Sequence, residues 1–221
     1  MTRKAAAKRV MDVIVSLVLL ALLSPLLLAV SILLAVAQGP PVFYRETRMG
    51  MHRRPFSILK FRTMRHDQDN GTSVAPSDDP RITPVGALLK PSRLDELPQL
   101  INVLAGDMSL VGPRPLPPGH LATLEPAYVE DLLSARPGVT SPATVWFIAE
   151  DDVLAGSDDA ERIYLDVILP AKVAGQLDYL HSWTFTGDFK VLLATVSCVW
   201  SKRAWRESRD MIRRLIEATD S

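Results

Sequence analysis

The stretch that decides the fold of this protein lies near its start, where residues 13–37 read VIVSLVLLALLSPLLLAVSILLAVA. The stretch contains no charged side chain and is longer than the roughly 20 apolar residues that cross a bilayer. Ser24 and Pro25 stand near its middle. Proline lacks an amide hydrogen and clashes with the preceding turn, so it breaks or kinks a helix. We therefore predict a membrane segment with a break at Ser24-Pro25.

Basic residues flank this apolar run on both sides. Before it stand Arg3, Lys4, Lys8 and Arg9, and after it Arg45, Arg48, Arg53, Arg54, Lys60, Arg62 and Arg65. Basic residues mark the cytoplasmic side of a membrane segment, so a single crossing would give conflicting orientation signals. A re-entrant helix hairpin, entering and leaving on one face, removes the conflict, and the Ser24 hydroxyl could satisfy a freed backbone carbonyl.

Two alternatives to the hairpin stay open at this point. A kinked spanning helix is one, because proline is common in transmembrane helices. The other is a cleaved signal peptide, in which an apolar core of usually only about 7 to 15 residues is followed by a small-residue cleavage site. The apolar run of this chain is longer, and no small-residue cleavage site with a polar approach follows it.

Composition narrows the class of the remaining chain. The 221 residues carry 25 basic and 25 acidic side chains, a balance that does not indicate a nucleic-acid partner. The single cysteine, Cys198, cannot form an internal disulfide. The chain contains neither a Gly-rich phosphate loop nor a dinucleotide-binding fingerprint, which disfavours an ordinary kinase or dehydrogenase.

The fold class that these patterns predict is α+β and mostly helical. Residues 42–44 and 56–61 resemble two short strands around a basic turn, which predicts a small β-hairpin. Helices are expected over 85–90, from about Ser92, over 126–136 and over 158–180. The Ser92 hydroxyl is predicted to cap the turn that holds Asp95 and Glu96. Residues 113–118 hold four prolines and are predicted to form a stiff loop that is neither helical nor paired in a sheet.

The C-terminal stretch, residues 189–216, combines an apolar part with Trp200, Trp205 and a series of basic residues. Tryptophan and basic residues on an amphipathic helix are typical of a segment at the membrane interface. A soluble helix with a solvated basic face fits the composition equally well. The membrane segment at the start of the chain favours interfacial amphipathic helices.

A series of short segments follows in fixed order through residues 8–115. They are Lys8-Arg9-Val10-Met11-Asp12, Ser24-Pro25, Gly39-Pro40-Pro41-Val42-Phe43-Tyr44-Arg45-Glu46, Lys60-Phe61-Arg62-Thr63-Met64, Ile82-Thr83-Pro84-Val85-Gly86, Leu94-Asp95-Glu96-Leu97-Pro98-Gln99-Leu100 and Asn102 to Pro115. Together they resemble the bacterial sugar transferase family, the monotopic phosphoglycosyl transferases, in its small form. The similarity is close over the first half of the chain. After Arg136 to Thr140 the usual continuation is replaced by Ser141-Pro142-Ala143.

The resemblance implies an enzyme that moves a sugar 1-phosphate from a UDP-sugar to a polyprenyl phosphate such as undecaprenyl phosphate. It would release UMP, use Mg2+, and catalyse the first membrane step of glycoconjugate or polysaccharide biosynthesis. Asp95 is implied as the nucleophile that holds the phosphosugar covalently, and Glu96 as the metal ligand. A carboxylate is a competent covalent catalyst. Without the resemblance, two acidic residues near a helix N-terminus would only complement the helix dipole.

Fixed cations must stabilise charge on the transferred phosphoryl group. Lys60 and Arg114 lie within matched motifs and are the predicted substrate-binding residues. Lys90 is a third candidate. Lys90 stands where the family often has arginine, and Arg93 stands where serine is common. Both departures concern the sugar and lipid contacts rather than the reaction class.

The predicted organisation is a re-entrant membrane helix over residues 1–38 and a membrane-associated catalytic domain over 39–221. The implied location is the bacterial inner membrane, with the catalytic domain facing the cytoplasm. A homo-oligomer is compatible with the sequence, which does not identify the sugar. The alternative function is a non-catalytic membrane-anchored scaffold of a polysaccharide assembly complex.

Overall fold

The computed structural model describes residues 3–65, 74–157 and 159–219. The described chain is mostly helical and contains two small sheets. The helices are α1 (Arg3–Gln38), α2 (Pro84–Leu89), α3 (Gln99–Ala105), α4 (Pro118–Ala122), α5 (Pro126–Leu132), α6 (Pro142–Trp146), α7 (Glu150–Leu154), α8 (Ala160–Ile163), α9 (Leu169–His181), α10 (Phe185–Trp200) and α11 (Lys202–Thr219). The strands are β1 (Phe43–Met49), β2 (Pro55–Phe61), β3 (Ser109–Val111) and β4 (Gly138–Thr140). The mostly helical α+β class is confirmed.

Helix α1 contains the apolar run. Among the described residues, the segment Lys4–Gln38 is the one helix long and apolar enough to cross a membrane, with a mean hydropathy of 2.9 and 11% of its most apolar window buried. The predicted break at Ser24-Pro25 was wrong, because α1 continues through both residues as one helix with Pro25 inside it. Ser24 Oγ donates to the Ala21 carbonyl at 2.8 Å, as expected for a hydroxyl beside proline. The re-entrant path and the division at residue 38 stay predictions.

Polar side chains fasten the first turns of α1 to the rest of the molecule. Arg9 donates to the carbonyls of Val103 (2.6 Å) and Leu104 (3.1 Å) at the end of α3. Asp12 accepts from the Ser109 hydroxyl at 2.7 Å and from the Leu110 amide at 3.2 Å. Orphan carbonyls at a helix end and a buried carboxylate are thereby satisfied together.

The predicted hairpin is confirmed: β1 and β2 pair antiparallel, with Phe43 opposite Phe61. The two rings stack with centroids 5.4 Å apart. Arg62, directly after β2, donates to the carbonyls of Gln38 (2.6 Å) and Gly39 (2.7 Å). This arginine therefore satisfies carbonyls at the C-terminus of α1, where cations are favoured.

A second sheet, β3 paired in parallel with β4, was not predicted. Each strand has three residues, too short for a recognisable pattern. Gly112 and Gly138 lie where the backbones of the two segments approach each other closely, and a Cβ at Gly138 would stand 2.2 Å from the Gly112 nitrogen. The proline-rich segment is a loop as predicted up to Pro117. The prediction was wrong at Pro118, which begins α4, because proline is well tolerated in the first turn of a helix.

The largest hydrophobic core is formed by α4, α5, α7, α9 and α11. The predicted helix over 158–180 is divided into α8, a π-helical turn at Tyr164–Ile168, and α9. Pro170 stands in the first turn of α9 and has no amide to donate to the carbonyl four residues earlier, which favours a local change of helical hydrogen bonding. The C-terminal stretch forms two helices, α10 and α11, rather than one.

The two C-terminal helices use their apolar sides differently. Met211, Ile212, Leu215 and Ile216 of α11 pack into the largest core. By contrast, α10 exposes a row of large apolar side chains at helical spacing: Phe185, Phe189, Leu193, Val196 and Trp200. Helix α11 therefore fits the soluble amphipathic alternative, whereas the interfacial placement of α10 stays a prediction.

Candidate active site

The acidic pair lies on a short 3-10 turn, Leu94–Glu96, between α2 and α3. The turn is preceded by Arg93, whose backbone is left-handed (φ 55°, ψ 17°). The predicted cap was wrong, because Ser92 Oγ donates backward to the Leu89 carbonyl at 2.8 Å and the regular helix begins only at Gln99. Asp95 and Glu96 are therefore displayed on a tight turn rather than on a helix face.

Helix α3 holds this turn against the hairpin. Asn102 Oδ1 accepts from the Leu59 amide at 3.0 Å, and Asn102 Nδ2 donates to the Ser57 carbonyl at 2.8 Å. Both bonds run to β2, the strand that carries Lys60. Because a side-chain amide bonded at both ends fixes the spacing of the two elements, Lys60 and Glu96 face each other across a defined gap.

Glu96 is clamped by two cations. Lys60 Nζ lies 3.1 Å from Glu96 Oε1. Arg114 grips both oxygens in a fork: Nη1 donates to Oε2 at 3.0 Å, and Nη2 donates to Oε1. Planar guanidinium groups are suited to such bidentate pairing with carboxylates and phosphates.

The loop bearing Arg114 is fixed from two sides. Its amide donates to Gln176 Oε1 of α9 at 2.5 Å, and Gln176 is fully buried. Arg48 on β1 donates to the Pro115 carbonyl at 3.3 Å. Flanking prolines already restrict this backbone, so the arginine is held in place before any ligand arrives. The motif made Arg114 predictable, whereas Gln176, distant in sequence and in no motif, carried no comparable signal.

These residues line an open cavity of about 550 Å³. Its wall includes nine basic and five acidic residues, and Asp95, Glu96, Lys60, Lys90, Arg93 and Arg114 all belong to it. The excess of positive charge suits a ligand with several negative charges. Cavities of this size accommodate small-molecule ligands.

Asp95 differs from Glu96 in its bonding and in its charge state. It is 8% exposed, and its Oδ1 has no hydrogen-bond partner among the residues that the structure describes. Burial, together with the neighbouring charge of Glu96, raises the pKa of Asp95 to about 6. Burial also acts to raise the pKa of Glu96, but Arg114 and Lys60 outweigh it and hold that pKa well below its ordinary value. At neutral pH Asp95 is therefore mostly an ionised, underbonded carboxylate.

The remaining predicted cation, Lys90, is turned toward another wall of the cavity. Its Nζ donates to the Ala75 carbonyl at 3.0 Å and lies 3.5 Å from Asp151 Oδ2. Arg93, which was noted only as a departure from the family pattern, lines the cavity beside Glu96. The structure thus brings Lys60 and Arg114 onto Glu96, with Lys90 farther along the wall. Ser24 and Pro25 belong to α1 and do not line the cavity.

The acidic pair fits a single divalent cation. An ionised carboxylate has about four acceptor positions, and the clamp occupies three of those on Glu96. One position on Oε2 stays open, and Asp95 adds its unpartnered Oδ1. Magnesium is held by one or two carboxylates together with phosphate oxygens and water. Within the described ranges no three acidic, His or Cys side chains converge on a metal site, so the protein itself would supply few ligands.

The chain thus combines a carboxylate pair in a cation-rich cavity with one long apolar helix among its described residues. The chain belongs to the bacterial sugar transferase family, whose model matches residues 3–202.

Relatives with assigned names agree with this membership. The chain is 39% identical over 194 residues to the UDP-glucose:undecaprenyl-phosphate glucose-1-phosphate transferase of Caulobacter vibrioides, covering 86% of this chain and 68% of the relative. It is 34% identical over 193 residues to the Escherichia coli protein of the same name, of which it covers 39%. The exopolysaccharide production protein ExoY of Sinorhizobium fredii is 33% identical over 213 residues, covering 89% of this chain and 87% of that protein. The chain therefore spans about two fifths of the length of one relative and most of the length of another.

Proposed function

We propose that this protein transfers a sugar 1-phosphate from a UDP-sugar to polyprenyl phosphate, with UMP as the product released. The observation that carries the proposal is the position of Asp95, which is buried, has an unpartnered oxygen and lines a cavity rich in basic residues. Relatives named as undecaprenyl-phosphate glucose-1-phosphate transferases support the same reaction class. In the cell this step would begin the assembly of a polysaccharide or glycoconjugate on a lipid carrier.

The reaction divides into two displacements at one phosphorus atom. In the first, an Asp95 oxygen bonds to the phosphorus that carries the sugar, and the bond from that phosphorus to the UMP oxygen breaks, with the electron pair leaving on UMP. In the second, a phosphate oxygen of the lipid bonds to the same phosphorus and the Asp95 carboxylate leaves. A carboxylate suits both roles because acyl phosphates are reactive.

The clamp around Glu96 would assist both displacements. Lys60 and Arg114 already stand at hydrogen-bonding distance from a carboxylate, and phosphate oxygens present similar geometry to the same donors. Charge on the transferred phosphoryl group is then stabilised by groups that need not rearrange. A magnesium ion at Glu96 and Asp95 would neutralise further phosphate charge when bound.

The covalent step is tested by intact-mass measurement after incubation with a UDP-sugar and Mg2+ but without lipid. The wild type should gain the mass of one sugar phosphate, and Asp95→Asn should gain none. A scaffold that has lost turnover would give neither an adduct nor UMP when polyprenyl phosphate is added. Asp107→Asn, an exposed change elsewhere in the chain, serves as the matched control and should form the adduct normally.

We also propose that α1 is re-entrant, with both ends on the cytoplasmic face. Val15, Leu19 and Leu20 pack against the core around α3 and β3, whereas Leu27, Val30 and Leu34 pack against Phe61 and Leu89. Only residues 21–26 separate these two contacting parts. A crossing needs roughly 20 residues, so a full span would carry one part away from the body that it contacts. The exposed apolar row of α10 would rest at the interface of the same membrane.

The topology can be checked by labelling single cysteines in a Cys198→Ser background. Ala6→Cys and Arg45→Cys place an exposed thiol on either side of the apolar run. A membrane-impermeant maleimide should label neither in intact spheroplasts and both after lysis. Labelling of one position alone in intact spheroplasts would contradict the re-entrant path in favour of a spanning helix.

A further inference from the structure

The cavity continues past Arg114 into a second polar cluster that the proposed reaction does not use. Glu150, at the start of α7, and Lys172, in α9, form an ion pair there: Lys172 Nζ lies 2.9 Å from Glu150 Oε1 and 2.7 Å from Oε2. Tyr164 lines the same end, with the Lys172 ammonium 5.4 Å from its ring centroid. The His120 ring stands 5.2 Å from that of Tyr164.

The cluster shares the cavity wall with Arg114. The guanidinium of Arg114, which grips Glu96, is also close enough to Glu150 for their opposite charges to attract. A phosphate held by Arg114 would therefore leave a group attached to it facing Glu150 and Lys172. The two ends of the cavity are then suited to the two parts of one ligand, a charged phosphate and a neutral polar substituent.

Stability alone does not account for an ion pair of a buried lysine and a partly buried glutamate at this place. Lys172 is 5% exposed, and removing two charges from water costs several kcal/mol per ion, which an apolar pair in the same space would avoid. The two residues could join α7 to α9 without charge. A charged pair at the wall of a cavity is therefore better explained by recognition of a ligand.

The pair has hydrogen-bonding capacity left over. The Glu150 carboxylate offers about four acceptor positions and Lys172 occupies two of them, while the ammonium has three donors and directs two at Glu150. Acceptors and a donor therefore stand side by side. Adjacent hydroxyl groups on a ring, each both donor and acceptor, match this arrangement.

Two further features single out this wall. Tyr164 begins the π-helical turn, a rare distortion that is frequent at functional sites. Glu150 lies in the segment after Thr140, where the sequence departs from the family pattern. A specificity contact is expected in a segment that differs among relatives rather than in the shared motifs.

We propose that Glu150 and Lys172 form a binding site for adjacent ring hydroxyls of the nucleotide-sugar donor. The inference rests on the proposed function for the identity of the donor. Two parts of that donor carry such hydroxyls, the hexose and the ribose, and both have the same recognition chemistry. The experiment separates them.

The test compares wild type, Glu150→Gln and Lys172→Met. Rates of UMP release are measured with UDP-glucose and UDP-galactose, which differ in the orientation of one hydroxyl, and UMP is measured as a competitive inhibitor. Loss of a hydrogen bond to a charged group should change the affected value about 10- to 100-fold. A hexose contact, to the C4 hydroxyl and the hydroxyl next to it, changes the ratio of kcat/KM between the two donors and leaves UMP inhibition unaltered. A ribose contact weakens UMP inhibition and leaves that ratio unaltered.

Asp152→Asn is the matched control. Asp152 lies on the same helix as Glu150 and pairs with Arg209 of α11 at 3.4 Å, outside the cavity wall. It should alter neither value. A merely structural role for Glu150 would lower the melting temperature without changing the donor ratio or UMP inhibition, and that result overturns the proposal.

Failure of this inference can be told apart from failure of the proposed function. If the wild type releases UMP and both variants keep the wild-type ratio and inhibition, the hydroxyl site is wrong and the reaction stands. If the wild type releases no UMP, dissociation constants for the two UDP-sugars replace the rates. Weaker or altered donor binding by Glu150→Gln then supports the site alone, and unchanged or absent binding overturns it.

Discussion

Two clusters of charged side chains in this molecule differ in how completely their carboxylate oxygens are hydrogen-bonded. The anchor cluster, under α1, consists of Lys8, Asp12, Ser109, Tyr179, Trp183 and Asp188. The pocket cluster consists of Lys60, Arg93, Asp95, Glu96 and Arg114. In the anchor cluster Asp188 Oδ1 accepts from Tyr179 at 2.7 Å, while Oδ2 accepts from Lys8 and from Trp183 Nε1 at 3.1 Å. Both oxygens of Asp12 are bonded as well.

The pocket cluster leaves Asp95 Oδ1 without a partner in the part of the chain that the structure describes. Buried polar atoms are nearly always hydrogen-bonded, because an unbonded one costs free energy. A saturated carboxylate such as Asp188 is explained by the packing of α1 onto α9 and α10. The unpartnered Asp95 oxygen stands at the wall of the cavity, where the proposed reaction needs an acceptor. On that proposal the anchor cluster is structural and the pocket cluster is functional.

The same substitution in each cluster gives the largest expected contrast. Asp95→Asn removes the proposed nucleophile and should lower the rate of UMP release by about 10⁴-fold or more, since loss of a nucleophile has effects of that order. The variant should remain folded, with a melting temperature no lower than that of the wild type. A rate within tenfold of the wild type would show that Asp95 is not the nucleophile.

Asp188→Asn should instead affect stability. Lys8 would lose its partner in a site where the Asp188 side chain is fully buried, and breaking such a pair costs about 3 to 5 kcal/mol. The measurement is thermal unfolding in detergent, together with UMP release per folded molecule. That specific activity should stay near the wild-type value below the melting temperature. A loss of UMP release with an unaltered melting temperature would show that Asp188 acts in the reaction rather than in stability.

The sequence predicted one cluster better than the other for a physical reason. Asp95, Glu96, Lys60 and Arg114 lie in ordered motifs, so their proximity could be expected. The pairing of Lys8 with Asp188 joins residues 180 positions apart, and no periodicity reports such a contact. For the same reason Gln176 and Glu150 had no signal.

In the fold, long or strongly patterned elements were predictable, such as α1 and the β1-β2 hairpin. The sequence did not predict the three-residue β3 and β4 strands, which depend on the close approach of Gly112 and Gly138. Ser92 was given the wrong partner. A serine beside a helix end can bond forward or backward, and tertiary packing decides between the two.

Within the pocket cluster, Arg114→Lys tests whether geometry or charge matters. Lysine keeps the positive charge but cannot form the fork that grips both oxygens of Glu96. We expect a loss of about 10²-fold in kcat for UMP release, typical of removing one preorganised donor. Arg203→Lys makes the same change in an exposed pair with Glu207 and should leave kcat unaltered. Equal kcat values for Arg114→Lys and Arg203→Lys would show that Arg114 contributes only its positive charge and not its fork geometry.

The raised pKa of Asp95 predicts a pH-dependent cost to stability. An Asp carboxyl has an ordinary pKa of 3.8, and in the folded protein burial and Glu96 raise it to about 6. The stability contributed by this group is therefore complete below pH 3.8 and is lost as the pH rises through 6. The asparagine of Asp95→Asn does not titrate in this pH range. The free energy of unfolding of the variant should therefore rise relative to that of the wild type, by about 3 kcal/mol at neutral pH. Unfolding curves at pH 4.5 and 7.5 measure it, and an equal difference at both would contradict the raised pKa.

The smallest expected effect sharpens the contrast from the structural side. Tyr179→Phe deletes one hydroxyl, which donates to Asp188 Oδ1 at 2.7 Å, and leaves the ring in its packing. Because the other oxygen of Asp188 keeps its partners, the loss should be about 1 to 2 kcal/mol of unfolding free energy, with kcat unchanged. Tyr128→Phe removes the same atom from an exposed ring and should cost little. A saturated cluster should lose stability one hydrogen bond at a time, so a fall in kcat on losing Tyr179 would mean that the anchor cluster also acts on the chemistry.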